Sequence, residues 1–144
     1  MRNIALVLSL TACVLVAACG AKKGFEKKGF AYGCPIGEIK VSDMEDLVDA
    51  KTSIEGRRTT IAVTEIRCTM AGDLLKIDAM LNNDSTKVKR VAYKFRWIDR
   101  EGMRAADEEA WKPLMLYENS NYLITAVAPT NKSTDFRLIL LSQE

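Results

Sequence analysis

Apolar and polar residues alternate strictly along two neighbouring segments, and this alternation constrains the fold more than any other feature of the sequence. In the segment 73–82, four alternate positions are apolar: Leu75, Ile77, Ala79 and Leu81. In the segment 91–97, four alternate positions are apolar or aromatic: Val91, Tyr93, Phe95 and Trp97. Successive side chains of a β-strand point to opposite faces, so a period of two is typical of a strand with one buried face. We therefore predict two half-buried strands, and we prefer a core role for the aromatic residues to a ligand-binding aromatic platform.

Four further segments complete the predicted set of strands. They are 59–69, 111–117, 121–128 and 134–142. In the first of them the apolar positions shift by one residue, from Ile61 and Val63 to Ile66 and Cys68. We therefore predict a β-bulge near Thr64 and Glu65, which would return both pairs of side chains to one face. Six or seven short strands joined by polar turns favour an all-β, immunoglobulin-like antiparallel sandwich.

A short helix or turn is predicted before the strands. Ser42 and Glu45 have the spacing of a capping box, in which the first side chain caps the helix and the second reaches back to it. Met44, Leu47 and Val48 would then share one helical face. The stretch is short, and it is equally compatible with a loop.

The first 18 residues have the composition of a secretory signal peptide. Arg2 is followed by an apolar run that ends in small residues at Ala18. The sequence 16–19, Val-Ala-Ala-Cys, resembles the lipobox of bacterial lipoproteins, in which the cysteine is acylated and becomes the mature N-terminus. This resemblance implies lipid attachment at Cys19, and Gly20 after it implies the outer membrane. We therefore expect the chain to reach the membrane through a lipid anchor and its domain to face the periplasm.

The segment 19–33 is predicted to be a flexible tether, and 34–144 to be the folded domain. Four lysines stand against Glu26 between Gly20 and Gly33. Such a segment can lie against anionic headgroups or form a solvated spacer. We favour the spacer, because four glycines in 14 residues resist a fixed structure.

The four cysteines of the chain are expected to have different roles. Cys13 also ends a lipobox-like sequence, but cleavage there would leave an apolar region of only about nine residues, so Cys19 is preferred. Cys34 and Cys68 remain in an exported, oxidising compartment, and we predict a disulfide between them. The alternative is two separate small core residues.

Composition excludes several classes of function. The chain of 144 residues has no histidine, so it cannot build a catalytic triad with a histidine base, a zincin site or most transition-metal sites from its own side chains. Its net charge of +2 argues against a nucleic-acid partner, which would need a strongly basic face. We expect no enzymatic activity and no cofactor.

The block 93–102, Tyr-Lys-Phe-Arg-Trp-Ile-Asp-Arg-Glu-Gly, resembles the Y-x-F-x-W-x-D-x-x-G block of the YcfL-like family of small bacterial envelope lipoproteins. The resemblance continues through 111–116, 124–129 and 136–140, and covers roughly residues 74 to 141. It implies an immunoglobulin-like sandwich without an established biochemical activity, and it suggests a role in cell-wall or envelope maintenance. The residues themselves predict that Asp99 to Gly102 form a turn.

The loop before Trp111 contains an acidic triplet, Asp107, Glu108 and Glu109. Consecutive carboxylates splay apart, so a paired acid–base site or a calcium site is less favoured here than a solvated loop. Loops on a rigid sandwich often carry binding residues, which makes these three residues and Trp111 our candidate interface. The alternative for Trp111 is a core position.

Three classes of function remain. The leading one is a non-catalytic module that binds another envelope protein through an edge strand or loop. The second is a binder of an envelope glycan or lipid, which would need a concave or aromatic surface. The third is an enzyme with strongly perturbed carboxylates or a Ser–Lys site in a cleft.

Overall fold

The computed structural model describes residues 33–57 and 59–143. Their elements are α1 (Val41–Lys51), β1 (Thr52–Gly56), β2 (Ile61–Ala71), β3 (Leu74–Asn83), β4 (Lys89–Ile98), β5 (Lys112–Leu116), β6 (Ser120–Val127) and β7 (Asp135–Ser142). The strands form a four-stranded sheet of order β1-β7-β4-β5 and a three-stranded sheet of order β2-β3-β6. The predicted all-β sandwich is therefore confirmed. The predicted signal peptide (1–18), and the tether up to residue 32, lie outside the described residues.

The alternating segments form β3 and β4, whose inward faces contribute to the core. All four apolar residues predicted to share one face of β3 are buried. On β4, Phe95 and Trp97 are buried and stack with ring centroids 5.6 Å apart, while Tyr93 is half-buried. Phe136 of β7 packs beside them, 5.9 Å from Phe95. The core role of these aromatic residues is confirmed.

The predicted bulge is also present in β2. The register between β2 and β3 shifts between Val63 and Glu65. The extra residue brings Ile66 and Cys68 to the same buried face as Ile61. One strand can therefore keep its apolar side chains in the core on both sides of the slip.

Four of the five strand pairings are antiparallel as predicted, and one pairing in the four-stranded sheet departs from the prediction because it is parallel. β1 follows α1 without a turn and pairs in parallel with β7, from Thr52 opposite Leu138 to Gly56 opposite Ser142. Four of its five residues are exposed, so its sequence has no alternation that would predict a strand. At the end of β1, Gly56 has a φ of +88°, and a Cβ there would lie 2.7 Å from the Ser142 carbonyl oxygen.

The predicted helix exists, but its predicted cap is wrong. α1 begins at Val41 after Lys40, and no side chain caps it. Ser42 lies inside the helix, where its hydroxyl donates to the Asp43 carboxylate. The predicted apolar face is confirmed, since Leu47 is fully buried and its neighbours on that face pack against the core.

The lateral opening between the edge strands β1 and β2 is covered, and we call it the closed side. α1 lies across this opening and contacts β1, β2 and β7. The segment 33–39 extends the cover, because Ile36 forms a parallel bridge with Cys68 and a disulfide joins Cys34 to Cys68. At the end of the helix, the Lys51 ammonium lies 2.7 Å from the Asp135 carboxylate, and both side chains are buried.

The opposite lateral opening lies between the edge strands β5 and β6, and we call it the open side. Six large apolar or aromatic side chains on or beside these strands are exposed: Trp111, Met115, Tyr117, Tyr122, Leu123 and Val127. An open cleft runs between the loop after β4 and the end of β6. No helix in the described part of the chain is long and apolar enough to cross a membrane.

Candidate interaction surface

The candidate interface residues all lie in the loop that joins β4 to β5. The loop begins with the predicted turn, in which the Asp99 carboxylate accepts hydrogen bonds from the amides of Glu101 and Met103. Gly102 has a φ of +81°, a conformation that glycine adopts without strain. The turn is therefore confirmed. Beyond it, the Ala105 amide donates to the Trp97 carbonyl oxygen and holds the loop against β4.

Glu109 attaches the far end of the loop to the core. Its carboxylate accepts hydrogen bonds from Trp97 Nε1 at 2.8 Å, from Lys112 Nζ at 2.9 Å and from the Phe95 amide at 3.4 Å. β5 pairs with β4 only from Lys89 to Tyr93, so this carboxylate supplies an acceptor where a neighbouring strand is missing. The expectation of a solvated position is wrong for Glu109, because the loop folds it back onto β4.

Two opposing influences set the acidity of Glu109. Burial would raise its pKa, but the hydrogen bonds from Lys112 and Trp97 stabilise the carboxylate and leave the pKa below the ordinary value of 4.5. The carboxylate is therefore the form that holds the loop at neutral pH.

Glu108 points away from Glu109, towards the outer face of the four-stranded sheet. It forms an ion pair with Lys94, which lowers the pKa of Glu108, and it lies 3.7 Å from Arg96. The Lys94 ammonium is also 4.4 Å from the centre of the Trp111 ring. Lys94 thus connects Glu108 to Trp111 through an ion pair and a cation–π contact.

The acidic triplet does not form a joint site. Asp107 lines the open cleft together with Arg104, whereas Glu108 forms its ion pair with Lys94. Glu109 is engaged with the core, as described above. Within residues 33–57 and 59–143, no three Cys, Asp or Glu side chains are grouped to hold a metal ion. Of the four candidate residues, Glu108 and Trp111 are therefore joined through Lys94, whereas Asp107 and Glu109 line the open cleft.

Trp111 lies on the surface, so the core alternative for it is wrong. It is 37% exposed, whereas Trp97 is 1% exposed. Trp111 continues a row of exposed side chains along the outer face of β5, with Pro113 and Met115 at the next alternate positions. We call this row, with the neighbouring cations of β4, the outer patch; its members are Arg90, Lys94, Arg96, Trp111, Pro113 and Met115.

The cations of the outer patch were missed in the sequence. Arg90 lies opposite Met115, and Arg96 lies opposite Arg137 of β7, so all of these side chains share one face of the sheet. The alternation that places Tyr93, Phe95 and Trp97 in the core places Arg90, Lys94 and Arg96 outside. The alternation of β4 therefore contained the information needed to predict these outward cations, since each inward residue of a strand implies outward neighbours.

The cysteines lie in two regions of the chain. Cys34 and Cys68 form a disulfide with their Cα atoms 6.2 Å apart, and Cys68 is fully buried. Cys19, the candidate lipid-attachment residue, and Cys13 lie outside the described residues, so their roles remain predictions.

The fold and the site define a small β-sandwich domain with one covered side and one exposed side. Residues 45–142 match a family described as "Protein of unknown function (DUF1425)", and the chain belongs to this family. This membership is consistent with the YcfL-like resemblance, although the match does not use that name. No curated protein matches the chain.

Two crystal structures resemble the domain. One is of Campylobacter jejuni cj0090, with 21% identity and a TM-score of 0.57 over 65% of this chain and 98% of that one, and it supports the fold alone. The other is of a DUF1425 family member from Shewanella sp. pv-4, with 26% identity and a TM-score of 0.52 over 56% of this chain and 75% of that one.

Proposed function

We propose that the chain is an outer-membrane lipoprotein, anchored by an acylated Cys19, whose sandwich domain binds another periplasmic or membrane protein of the envelope. In this proposal the domain acts by contact and catalyses no reaction. The observation that carries the proposal is the outer patch, where Trp111 and Met115 are exposed beside Arg90 and Arg96. Aromatic residues, Met and Arg are the types enriched at protein interfaces.

The rigidity of the patch supports a binding role. Trp111 is held by the Lys94 ammonium, and the loop before it is attached to the core through Glu109. A surface that is ordered before binding loses less conformational entropy when a partner docks.

The charges of the patch indicate the chemistry of the partner. Glu108 is already engaged with Lys94, and Arg90 has no ion pair among the described residues. The patch therefore presents cations to its surroundings. A partner with an acidic surface would be complementary to it.

The position of the tether supports access to the patch. The Gly33 amide donates to the Asp135 carboxylate and the Cys34 amide donates to the Thr134 carbonyl, so the chain joins the domain at the start of β7. Met115 lies near the opposite end of the strands, beside Arg90. The 14 residues of the segment 20–33 reach about 50 Å when fully extended, which leaves the patch free to turn towards a partner in the periplasm.

A photo-crosslinking residue at Met115 of the full-length chain, expressed in bacterial cells, tests the contact. The matched control carries the same residue at Val41, which is 93% exposed on the closed side. We expect one protein to be captured from Met115 and not from Val41. We also expect the double variant Arg90→Glu/Arg96→Glu to reduce its capture by about tenfold or more, because it reverses the charge of the patch.

Three results would contradict the proposed contact. They are equal capture at both positions, no capture at Met115, and capture that is unchanged by charge reversal. Capture of a glycan or lipid in place of a protein would favour the alternative, a binder of an envelope ligand.

Anchoring is tested separately by intact-mass measurement of the membrane-extracted protein. We expect a chain that begins at Cys19 and carries added acyl mass. Cys19→Ser should abolish the acyl mass, whereas the control Cys13→Ser should leave it unchanged. A soluble, unmodified wild-type protein would contradict the anchor without affecting the contact proposal.

A further inference from the structure

β6 is an edge strand, and its composition favours pairing with a further strand along its open edge. Its eight residues, Ser-Asn-Tyr-Leu-Ile-Thr-Ala-Val, include no charge, no proline and no glycine. Its pairing with β3 is regular from Ser120 to Val127, without a bulge. On the outer face of this strand, Leu123 is 55% exposed and Val127 is 44% exposed.

The other three edge strands are protected against pairing. β1 and β5 have five residues each; β1 contains Glu55, and β5 contains Lys112 and Pro113. β2 carries the bulge and is covered by α1 and by the bridge from Ile36. Natural sheets protect exposed edges by short length, charge, proline, bulges or cover. β6 has none of these, so its open edge requires another explanation.

The outward amides of β6 lack partners in the described part of the chain. The Ala128 amide donates to the Leu75 carbonyl oxygen, which fixes the phase of the β3–β6 ladder. Bonds in an antiparallel pair alternate between the two sides of a strand. The amides and carbonyls of Leu123, Thr125 and Val127 therefore face the open edge, where no strand of the described residues lies.

We propose that β6 pairs antiparallel with β6 of a second copy of this chain. The two three-stranded sheets would then form one continuous sheet of six strands. The chain itself provides the argument for this occupant, because an uncharged strand can oppose itself without like charges meeting. This surface is distinct from the outer patch, and the inference does not depend on the function proposed above.

One register satisfies both the backbone and the side chains. If Thr125 lies opposite Thr125 of the second copy, then Leu123 lies opposite Val127 of the second copy, and the reverse pair follows by symmetry. Each outward amide then meets an outward carbonyl. Two apolar cross-strand pairs flank the central threonines, and apolar pairs of this kind stabilise a sheet.

The charges beyond the ends of β6 are complementary in the same arrangement. Glu118 precedes the strand and Lys132 follows it, and both residues are exposed. Neither forms an ion pair with another described residue. Antiparallel pairing sets the start of one β6 near the end of the other, so Glu118 of one copy approaches Lys132 of the second at both ends.

Substitutions that introduce opposite charges at Leu123 and Val127 test this register. The full-length protein is extracted in detergent, and its association is measured by sedimentation equilibrium. We expect wild type to associate into dimers, and Leu123→Glu or Val127→Lys alone to weaken association about tenfold or more, because each sets a charge against an apolar side chain. The double variant Leu123→Glu/Val127→Lys should restore dimers, because each new carboxylate then faces a new ammonium of the second copy. A monomeric wild type, single variants that still form dimers, or a double variant that stays monomeric would overturn the proposal.

Thiol crosslinking in intact cells tests the same contact without extraction. Thr125→Cys should give a covalent dimer, since opposed residues of a bonded antiparallel pair have Cα atoms about 5.5 Å apart. Thr64→Cys is the matched control, because Thr64 is an exposed threonine on the other edge strand of the same sheet. Equal dimer from both variants, or a Thr125→Cys adduct with a different protein and no dimer, would overturn self-pairing.

Discussion

The two lateral sides of this sandwich are built differently. The closed side has a helix, a disulfide and the buried Lys51–Asp135 ion pair across its opening. The open side has an uncharged edge strand and exposed aromatic or apolar residues such as Tyr122 and Leu123. The stabilising interactions that reach across an opening are thus concentrated on one side.

This difference assigns the stabilising contacts to the closed side and the surfaces for recognition to β6 and the outer patch. The closed side holds the point where the tether joins the domain, because Gly33 and Cys34 bond to residues at the start of β7. A domain stabilised there can leave β6 and the outer patch unprotected without losing its fold. Changes at buried positions of the closed side should therefore reduce the free energy of unfolding, and changes at exposed positions of β6 and the outer patch should alter association.

The largest effect is expected from Lys51→Met. This change leaves the Asp135 carboxylate buried without its cation, and breaking a buried ion pair in this way costs about 3 to 5 kcal/mol. Urea unfolding at neutral pH measures it, with the exposed Lys40→Met as the control. A loss below about 1 kcal/mol would mean that the closed side does not depend on this pair.

The disulfide should have the next largest effect. Cys34 and Cys68 are 34 residues apart, and the chain-entropy model gives about 3 to 4 kcal/mol for a loop of this length. The double variant Cys34→Ser/Cys68→Ser should lose that amount in urea unfolding, and reductant should destabilise wild type but not the variant. Two thiols titrated in unreduced, denatured wild type would contradict the bond.

Glu109→Ala should have a smaller effect that depends on pH. It removes the acceptor of the Trp97 indole and the Phe95 amide, which costs about 1 to 3 kcal/mol at neutral pH. Because the folded pKa of Glu109 is lowered, its stabilising contribution is present above the ordinary value of 4.5 and is lost as pH falls through the folded pKa. The difference from wild type in urea unfolding should therefore shrink in acid.

Asp107→Ala is the control for Glu109, since Asp107 is an exposed member of the same triplet. It should change stability by no more than about 0.5 kcal/mol at either pH. A Glu109 effect that is equal at neutral and acid pH would show that the loop is not held by the carboxylate.

Apart from the control variants, the smallest effect on stability is expected from Trp111→Ala. The partly exposed cation–π contact with Lys94 contributes about 0.5 to 1 kcal/mol, and the ring is not part of the core. Urea unfolding should show a loss of that size, while Trp97→Ala should lose about 3 to 5 kcal/mol or prevent folding. Equal losses for the two tryptophans would place Trp111 in the core and remove it from the outer patch.

The sequence predicted the elements whose burial is periodic. β3 and β4 alternate, and the slip between Val63 and Ile66 predicted the bulge of β2. β1 was missed because four of its five residues are exposed, so its pairing with β7 leaves no pattern in the sequence.

Contacts between distant positions could not be predicted from local patterns. Lys51 and Asp135 are 84 residues apart, and each looks like an ordinary surface charge in the sequence. Glu109 resembles its neighbours in the acidic triplet, and only the path of the loop brings it to Trp97. The cations of the outer patch, by contrast, follow directly from the alternation of β4.

Residue-resolved amide hydrogen exchange tests the difference between the two sides most directly. The outward amides of Leu123, Thr125 and Val127 should be protected in wild type at concentrations where it dimerises, and they should exchange rapidly in Leu123→Glu. The Ile66 amide, which donates to Met44 Sδ on the closed side, should stay protected in both proteins. Rapid exchange at Leu123, Thr125 and Val127 at every wild-type concentration, or protection that survives Leu123→Glu, would contradict the assignment of the open side as the side that pairs.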